Sequence, residues 1–330
     1  MNRRRFILST FVLAACVRDA GSDKDSPGTT ESLPPDDTDP LTPITSNDSF
    51  YITTYNSSKI PGKSWVDGWT LAIDGLVNSP HSIDLAGLKA LGGEEVEHTL
   101  ECIGNRSSSA IGNALWRGVR LKTLLEHLGV VPAESASHLR FFCGDGYDTA
   151  VPITDLDRGL MLVWEMNGEP LPTDHGAPVR VLNPGRYGMK NPKWIEGISL
   201  DDHSEPGSWE RVGWSDDCTY QIHSWIHLPA PGAEVPAEGL ELRGSAYAGL
   251  APVVKVELSQ DLGVSWEEAE LTYNPGANVW VLWRYLLRST GQKQEVWVRA
   301  TVEDGRVQEE IESGDVDLDG FEGIHMRNYG

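Results

Sequence analysis

The sequence is short of three things that would settle its chemistry quickly. Cysteine is scarce: Cys16, Cys102, Cys143 and Cys218 are the four among 330 residues. None sits in a CxxC pair or at a Cys/His spacing suited to zinc, a ferredoxin-type cluster or covalent haem, so each must be weighed singly. Basic charge is scarce as well, with 27 Lys and Arg against 49 Asp and Glu and a net charge of -22. No stretch gathers those cations into a stripe that could neutralise phosphates, which speaks against nucleic acid as a partner. Long apolar runs are missing too, and Phe6 to Ala15 is too short to span a bilayer.

What is present begins with a targeting pattern. Arg3, Arg4 and Arg5 precede the apolar run, which ends in Leu13-Ala14-Ala15-Cys16. The start, Asn2 to Leu8, is similar to a twin-arginine export signal, and Leu13 to Cys16 resembles a bacterial lipobox. Residues 1–16 are therefore expected to direct export to the periplasm or cell surface and to leave Cys16 acylated. An ordinary secretory signal is the alternative. Residues 17–49, with TTESLPPDDTDP, hold almost no large apolar groups, so a disordered acidic tether is expected there. Membrane association would then run through the lipid alone.

Two domains follow. Over residues 50–205 helix and strand signals mix, which predicts an α+β domain. Leu121, Leu124, Leu125 and Leu128 repeat at helical spacing with Gly129 as a stop. Strand-like runs cover Val96–Leu100, Leu139–Phe142, Met161–Glu165, Val179–Leu182 and Trp194–Leu200, broken by Asn167-Gly168 and Pro184-Gly185 turns. Over residues 214–311 the β-rich runs beginning at Leu240, Val253, Val279 and Val296 predict an all-β sandwich. The acidic stretch 312–330 is expected to be a solvated tail.

One segment carries chemistry by its residue types. Thr99-Leu100-Glu101-Cys102-Ile103-Gly104-Asn105-Arg106 sets a single thiol at a strand end before a Gly-Asn turn, where a thiolate could ligate a soft metal. Taken alone, Cys102 reads as a small buried hydrophobe rather than a ligand. Arg180 lies in an apolar run beside Val179, Val181 and Leu182, where a guanidinium needs an anion or a structural carboxylate to meet it.

The same segment resembles the molybdenum-binding cysteine motif of the sulfite oxidase family. The resemblance continues in family order through Leu115 to Leu121, Glu165 to Arg180 and Pro184 to Trp194. Gly244 to Gly249, Val256 to Asp261 and Gly263 to Trp266 are similar to that family's immunoglobulin-like dimerisation domain, which implies a homodimer. The resemblance implies a molybdenum–molybdopterin cofactor with Cys102 on the metal. An anionic, buried cofactor calls for cationic donors. His175, Arg180, Lys190 and Lys193 are the candidates, with Tyr51 and Asp145 as further cofactor contacts. Gly185 and Gly188 would let the backbone come close. Tyr147, beside Asp145, and Trp214, standing where the family has a pocket tyrosine, are assigned to the catalytic pocket.

By the same resemblance, the reaction is oxygen-atom transfer on a small sulfur compound, with sulfite oxidation leading. Electrons would pass to an external cytochrome or quinone-linked partner. Two departures bear on substrate. The segment Phe50 to Tyr55 lacks an expected arginine, and Ser107 follows Arg106 where a second arginine is expected. A site short of cations binds a dianion poorly. A sulfoxide reductase of the same cofactor class is therefore the second reading, and a non-catalytic tethered module the third. Cys143, beside Phe141 and Phe142, reads as core, with a Cys143–Cys218 disulfide the less favoured alternative.

Overall fold

The computed structural model describes residues 41–105, 109–309, 319–320 and 323–330. The expectations for the signal, for Cys16 and for Arg106 and Ser107 fall outside them.

The first domain is built on two sheets. One runs β2-β1-β10-β5-β6, from β1 (Thr70–Gly75), β2 (His81–Asp84), β5 (His138–Cys143), β6 (Asp148–Pro152) and β10 (Ile195–Asp201). Of its pairings, β1 with β10 is parallel and the others antiparallel. The other runs β3-β4-β7-β8, from β3 (Glu94–Glu101), β4 (Ile111–Arg120), β7 (Met161–Met166) and β8 (Glu169–Pro170), with β9 (Arg180–Leu182) on β7. Asn167 and Gly168, with φ of 54° and 78°, make the tight turn between β7 and β8 that their sequence predicts.

Short helices α1 (Lys63–Asp67) and α2 (Leu85–Ala90) flank the first sheet, and the Asp84 side chain caps α2 by accepting from Gly87 N at 2.7 Å. Helix α3 (Leu121–Leu128) buries Leu121, Leu124 and Leu125, and Gly129 ends it in the left-handed region at φ 66°. Each such leucine contributes about 2 kcal/mol. They join Leu71, Ile73, Phe141, Leu162, Val181 and Ile198 in the core between the sheets.

The second domain is a sandwich of two four-stranded sheets. One is ordered β11-β12-β16-β15, from β11 (His223–Leu228), β12 (Leu240–Tyr247), β15 (Glu270–Tyr273) and β16 (Val281–Leu287). The other is ordered β14-β13-β17-β18, from β13 (Val253–Ser259), β14 (Glu267–Glu268), β17 (Gln294–Val302) and β18 (His325–Tyr329). Burial alternates along all of β17, the period-2 signature of a strand with one face inward.

Two boundaries differ from expectation. The tether cannot extend to residue 49: Leu41 is buried, and Pro43 O accepts from both Asn113 Nδ2 (2.8 Å) and Trp280 Nε1 (3.2 Å). Backbone carbonyls of the arm, the Thr45 and Asn47 side chains and buried Leu41 hold this polar stretch, and composition does not report such pairings. Nor is the chain end a solvated tail throughout, because His325–Tyr329 pairs with Gln294–Val298 and Tyr329 is buried. Among the described residues no helix is long and apolar enough to cross a membrane.

Candidate active site

The two domains meet over an apolar layer that includes Ile103, Tyr187, Met189, Tyr220, Tyr247 and Trp280. Beside it a cleft of about 840 Å³ opens to solvent. Cys102 lies on its wall, one residue past the end of β3. The turn that holds it is closed at both ends: Cys102 N donates to Ala110 O and Asn105 N to Cys102 O, each at 2.9 Å. The Trp214 indole lies over that turn, 3.4 Å from where a Cβ on Gly104 would stand. The cleft gathers Tyr51, Asp145, Tyr147, His175, Arg180, Gly188, Lys193 and Trp214 along with Cys102.

Its cationic side is built from β9 and the loop after it. Arg180 is 5% exposed and donates to His175 O (3.1 Å) and Asn191 O (3.0 Å), with its guanidinium 5.2 Å from the Trp116 ring. Among the described residues no carboxylate pairs with it, and its buried Nε has no hydrogen-bond partner there. Burial pulls its pKa down to about 10. The structural ion pair offered as its alternative reading is thus not what holds it. His175 sits edge-on to Phe50, and its Nε2 faces Asn47 O at 3.0 Å, so Nε2 carries the proton and donates. Burial first, then repulsion from Arg180 and Lys193, keeps this imidazole neutral with a pKa of about 4, against the opposing Asn47 carbonyl. Lys193 Nζ donates to Asp174 O at 2.7 Å and lies 4.3 Å from the Trp194 ring. Burial and then Arg180 bring its pKa down to about 7. Cations depressed by burial and mutual repulsion gain from an anion between them.

The opposite walls are aromatic. Tyr51 stacks on Phe50, and burial, then the charge of Cys102, pushes its phenol well above the usual range. Tyr147 donates from its hydroxyl to Met189 O at 2.7 Å, while Asp145 Oδ1 accepts from Tyr147 N at 3.0 Å in the β5–β6 turn. Burial raises the Asp145 pKa, against the nearby Lys193. A Cβ on Gly188 would stand 3.1 Å from both Glu101 O and the Tyr51 hydroxyl, so only glycine keeps this wall as close to the thiol loop.

Lys190 requires correction. It is not on the cleft wall: its ammonium is buried, donates to Ala150 O (2.8 Å) and pairs with Glu210 (2.5 Å) and Asp216 (3.0 Å). A charge already met by carboxylates has nothing left for a cofactor. Gly185 also turns elsewhere, its missing Cβ making room for Leu250 of the second domain at 2.8 Å. Cys143 and Cys218 are buried thiols, both raised by burial, and Cys218 Sγ donates to Ser215 O at 2.8 Å. Tyr55 and Trp209 escaped the sequence reading. They stand edge to face at 5.5 Å at the cleft mouth, and their signal was aromatic residues in the segments that carry Tyr51 and Trp214.

Residues 57–209 match the profile "Oxidoreductase molybdopterin binding domain" and residues 217–316 the profile "Mo-co oxidoreductase dimerisation domain". The chain is 32% identical to mitochondrial sulfite oxidase of Drosophila melanogaster over 78% of this chain and 53% of that protein. It is 27% identical to sulfite oxidase of Arabidopsis thaliana over 81% of this chain and 79% of that one. It spans about half the length of the mouse, fly and rat relatives. The sulfane dehydrogenase SoxCD of Paracoccus pantotrophus shares the fold, at TM-score 0.77 and 20% identity over 86% of this chain and 80% of that chain. Two consecutive profiles, and relatives that extend across both, place this chain in the sulfite oxidase family of oxidoreductases, whose cofactor is molybdenum–molybdopterin.

Proposed function

We propose that this protein transfers an oxygen atom to or from a small sulfur compound, and that its principal reaction is oxidation of sulfite to sulfate. The observation that carries the reading is one cleft shared by the Cys102 thiol and a buried Arg180 guanidinium with no carboxylate on it among the described residues. The residues fit the cofactor: a thiolate suits a soft metal, the unpartnered Arg180 Nε suits an anionic group, and Gly188 leaves room. When bound, the cofactor supplies a redox-active metal competent for two-electron oxygen-atom transfer.

The chain's own groups do the rest. Cys102 holds the metal, and Arg180 with Lys193 holds the cofactor's anionic end, with neutral His175 alongside. Tyr51 contributes a phenol, kept protonated by burial, that lines the cleft with the thiol and Arg180. Tyr55, Trp209 and Trp214 give the cleft an aromatic lining beside its cations. Tyr147 commits its proton to Met189 O, so in this geometry it shapes the cleft rather than donating to a substrate. Sulfite and water become sulfate, two protons and two electrons, which leave to an external cytochrome or quinone-linked acceptor. The profile matched by the second domain supports a homodimer, and the sequence of residues 1–16 supports export with a lipid on Cys16.

The test is the visible absorption of oxidised, molybdenum-loaded protein before and after anaerobic sulfite. Rapid bleaching is expected. An unchanged spectrum in protein that responds to dithionite would overturn sulfite in favour of sulfoxide reduction, which the aromatic mouth would suit.

A further inference from the structure

Strand β3 shows its two faces to different partners. Leu100, and Cys102 just beyond the strand, line the cleft, while Glu97, Thr99 and Glu101 face the second domain. The Tyr273 hydroxyl donates to Glu97, and Trp280 N donates to Thr99 Oγ1 at 2.9 Å. The strand's outer edge is sealed from the same side: Thr99 N donates to Asn278 O (2.9 Å), Glu101 N to the Tyr220 hydroxyl oxygen (3.1 Å), and the Tyr247 hydroxyl to Thr99 O (3.2 Å). Backbone groups that an edge strand would leave without a ladder are thus satisfied across the domain boundary.

The Glu101 side chain carries this interface to the thiol loop. Glu101 Oε1 accepts from Asn105 Nδ2 at 2.8 Å, and Asn105 Oδ1 accepts from Ala110 N at 3.2 Å, so one carboxylate and one amide span the turn that carries Cys102. Glu101 Oε2 lies 3.0 Å from Nε2 of His223 on β11, with both side chains 2% exposed or less. The two atoms face each other off the line of a straight hydrogen bond. Burial disfavours a charged imidazole here, but Glu101 and the Gln221 carbonyl together outweigh it and raise the His223 pKa.

We propose that His223 is a positioning residue for the active site: through Glu101 and Asn105, the second domain sets where the Cys102 sulfur stands. The proposal rests on Cys102 being the metal ligand. Outer groups that orient a metal's ligand tune the metal, and their loss costs about 10- to 100-fold in affinity or activity. Here the outer group belongs to the other domain, so the sandwich completes the catalytic domain.

The experiment uses full-length protein, cofactor-loaded and cofactor-free. In loaded His223→Gln the thiolate-to-metal absorption shifts or broadens, and turnover falls about 10- to 100-fold with little change in KM. In cofactor-free His223→Gln, alkylation of Cys102 by iodoacetamide, read by peptide mass spectrometry, is faster than in wild type. Tyr273→Phe, which loosens the same interface at Glu97, moves neither readout. Should a buried Glu101 without its partner prevent folding, Glu101→Leu/His223→Leu removes both polar groups and the link, and the same spectral shift and faster alkylation are expected. Wild-type spectra and alkylation in whichever variant folds, or an equal change in Tyr273→Phe, would overturn the proposal. Failure of the underlying ligand assignment looks different: Cys102→Ser would then keep the thiolate-to-metal band.

Discussion

Replacing Arg180 by Met separates a residue kept for a bound anion from one kept for the fold. In cofactor-free protein the guanidinium is buried without a carboxylate, and its pKa has dropped from 12.5 to about 10. That shift corresponds to about 3 kcal/mol of disfavoured charge. Against it stand two hydrogen bonds, to His175 O and Asn191 O, whose loss leaves buried carbonyls short of a donor at about 1 to 3 kcal/mol each. The terms nearly cancel, so cofactor-free Arg180→Met should unfold within about 2 kcal/mol of wild type. Folded and unfolded chains both keep this group protonated near neutral pH, so the comparison does not depend on pH there. With an anion bound, the same change leaves that charge unpaired, at about 3 to 5 kcal/mol. At about 1.4 kcal/mol per tenfold, this is a hundredfold or more in cofactor affinity. Urea unfolding of loaded and cofactor-free protein, with metal and pterin content measured alongside, gives both differences. Equal destabilisation in the two states, or full cofactor occupancy in the variant, would refute the reasoning.

Four further outcomes follow from other sites. Lys190→Met should destabilise the fold by about 3 to 5 kcal/mol in denaturant unfolding, because it strands the buried Glu210 carboxylate, while cofactor content per folded molecule stays at the wild-type level. Gly188→Ala should keep the fold but lower molybdenum and pterin content, since its Cβ meets Glu101 O and the Tyr51 hydroxyl at 3.1 Å. Burial lowers the His98 pKa from 6.5 to about 3, so the unfolded chain binds the extra proton and stability falls as pH drops from 6.5 toward 3. His98→Leu should flatten that limb by up to about 1.4 kcal/mol per pH unit in unfolding measured across this window. Cys16→Ala should abolish incorporation of labelled fatty acid, and labelling that persists would move the lipid elsewhere or remove it from the account.

The legible part of the site was the part carried by contiguous residues. Cys102 at a strand end before Gly104-Asn105, and Arg180 inside an apolar run, each combine an unusual residue with a local pattern that the fold must accommodate. Lys190 and Lys193 could not be told apart in this way. They lie three residues apart in one loop, and the short 3-10 turn at Gly188–Lys190, with Trp194 at φ 54°, sends the first ammonium inward to Glu210 and leaves the second at the cleft. Rotation of a loop is a tertiary outcome. The same holds for Tyr55 and Trp209, aromatic residues more than 150 positions apart that meet only when the loops fold over the mouth.

The sequence alone determined the order of domains, the leucine face and glycine stop of α3 and the Asn167-Gly168 turn, because each depends on neighbours within a few residues and on backbone preferences that travel with the chain. Tertiary structure decided which charges are already met and which face open space. It made the 41–49 arm part of the fold through Pro43 and Asn47, turned the chain end into β18, and placed His223 against Glu101 across 122 residues of chain. Burial and pairing are properties of three-dimensional neighbourhoods, and a charge's role follows from them, so no local pattern of residues could have assigned it.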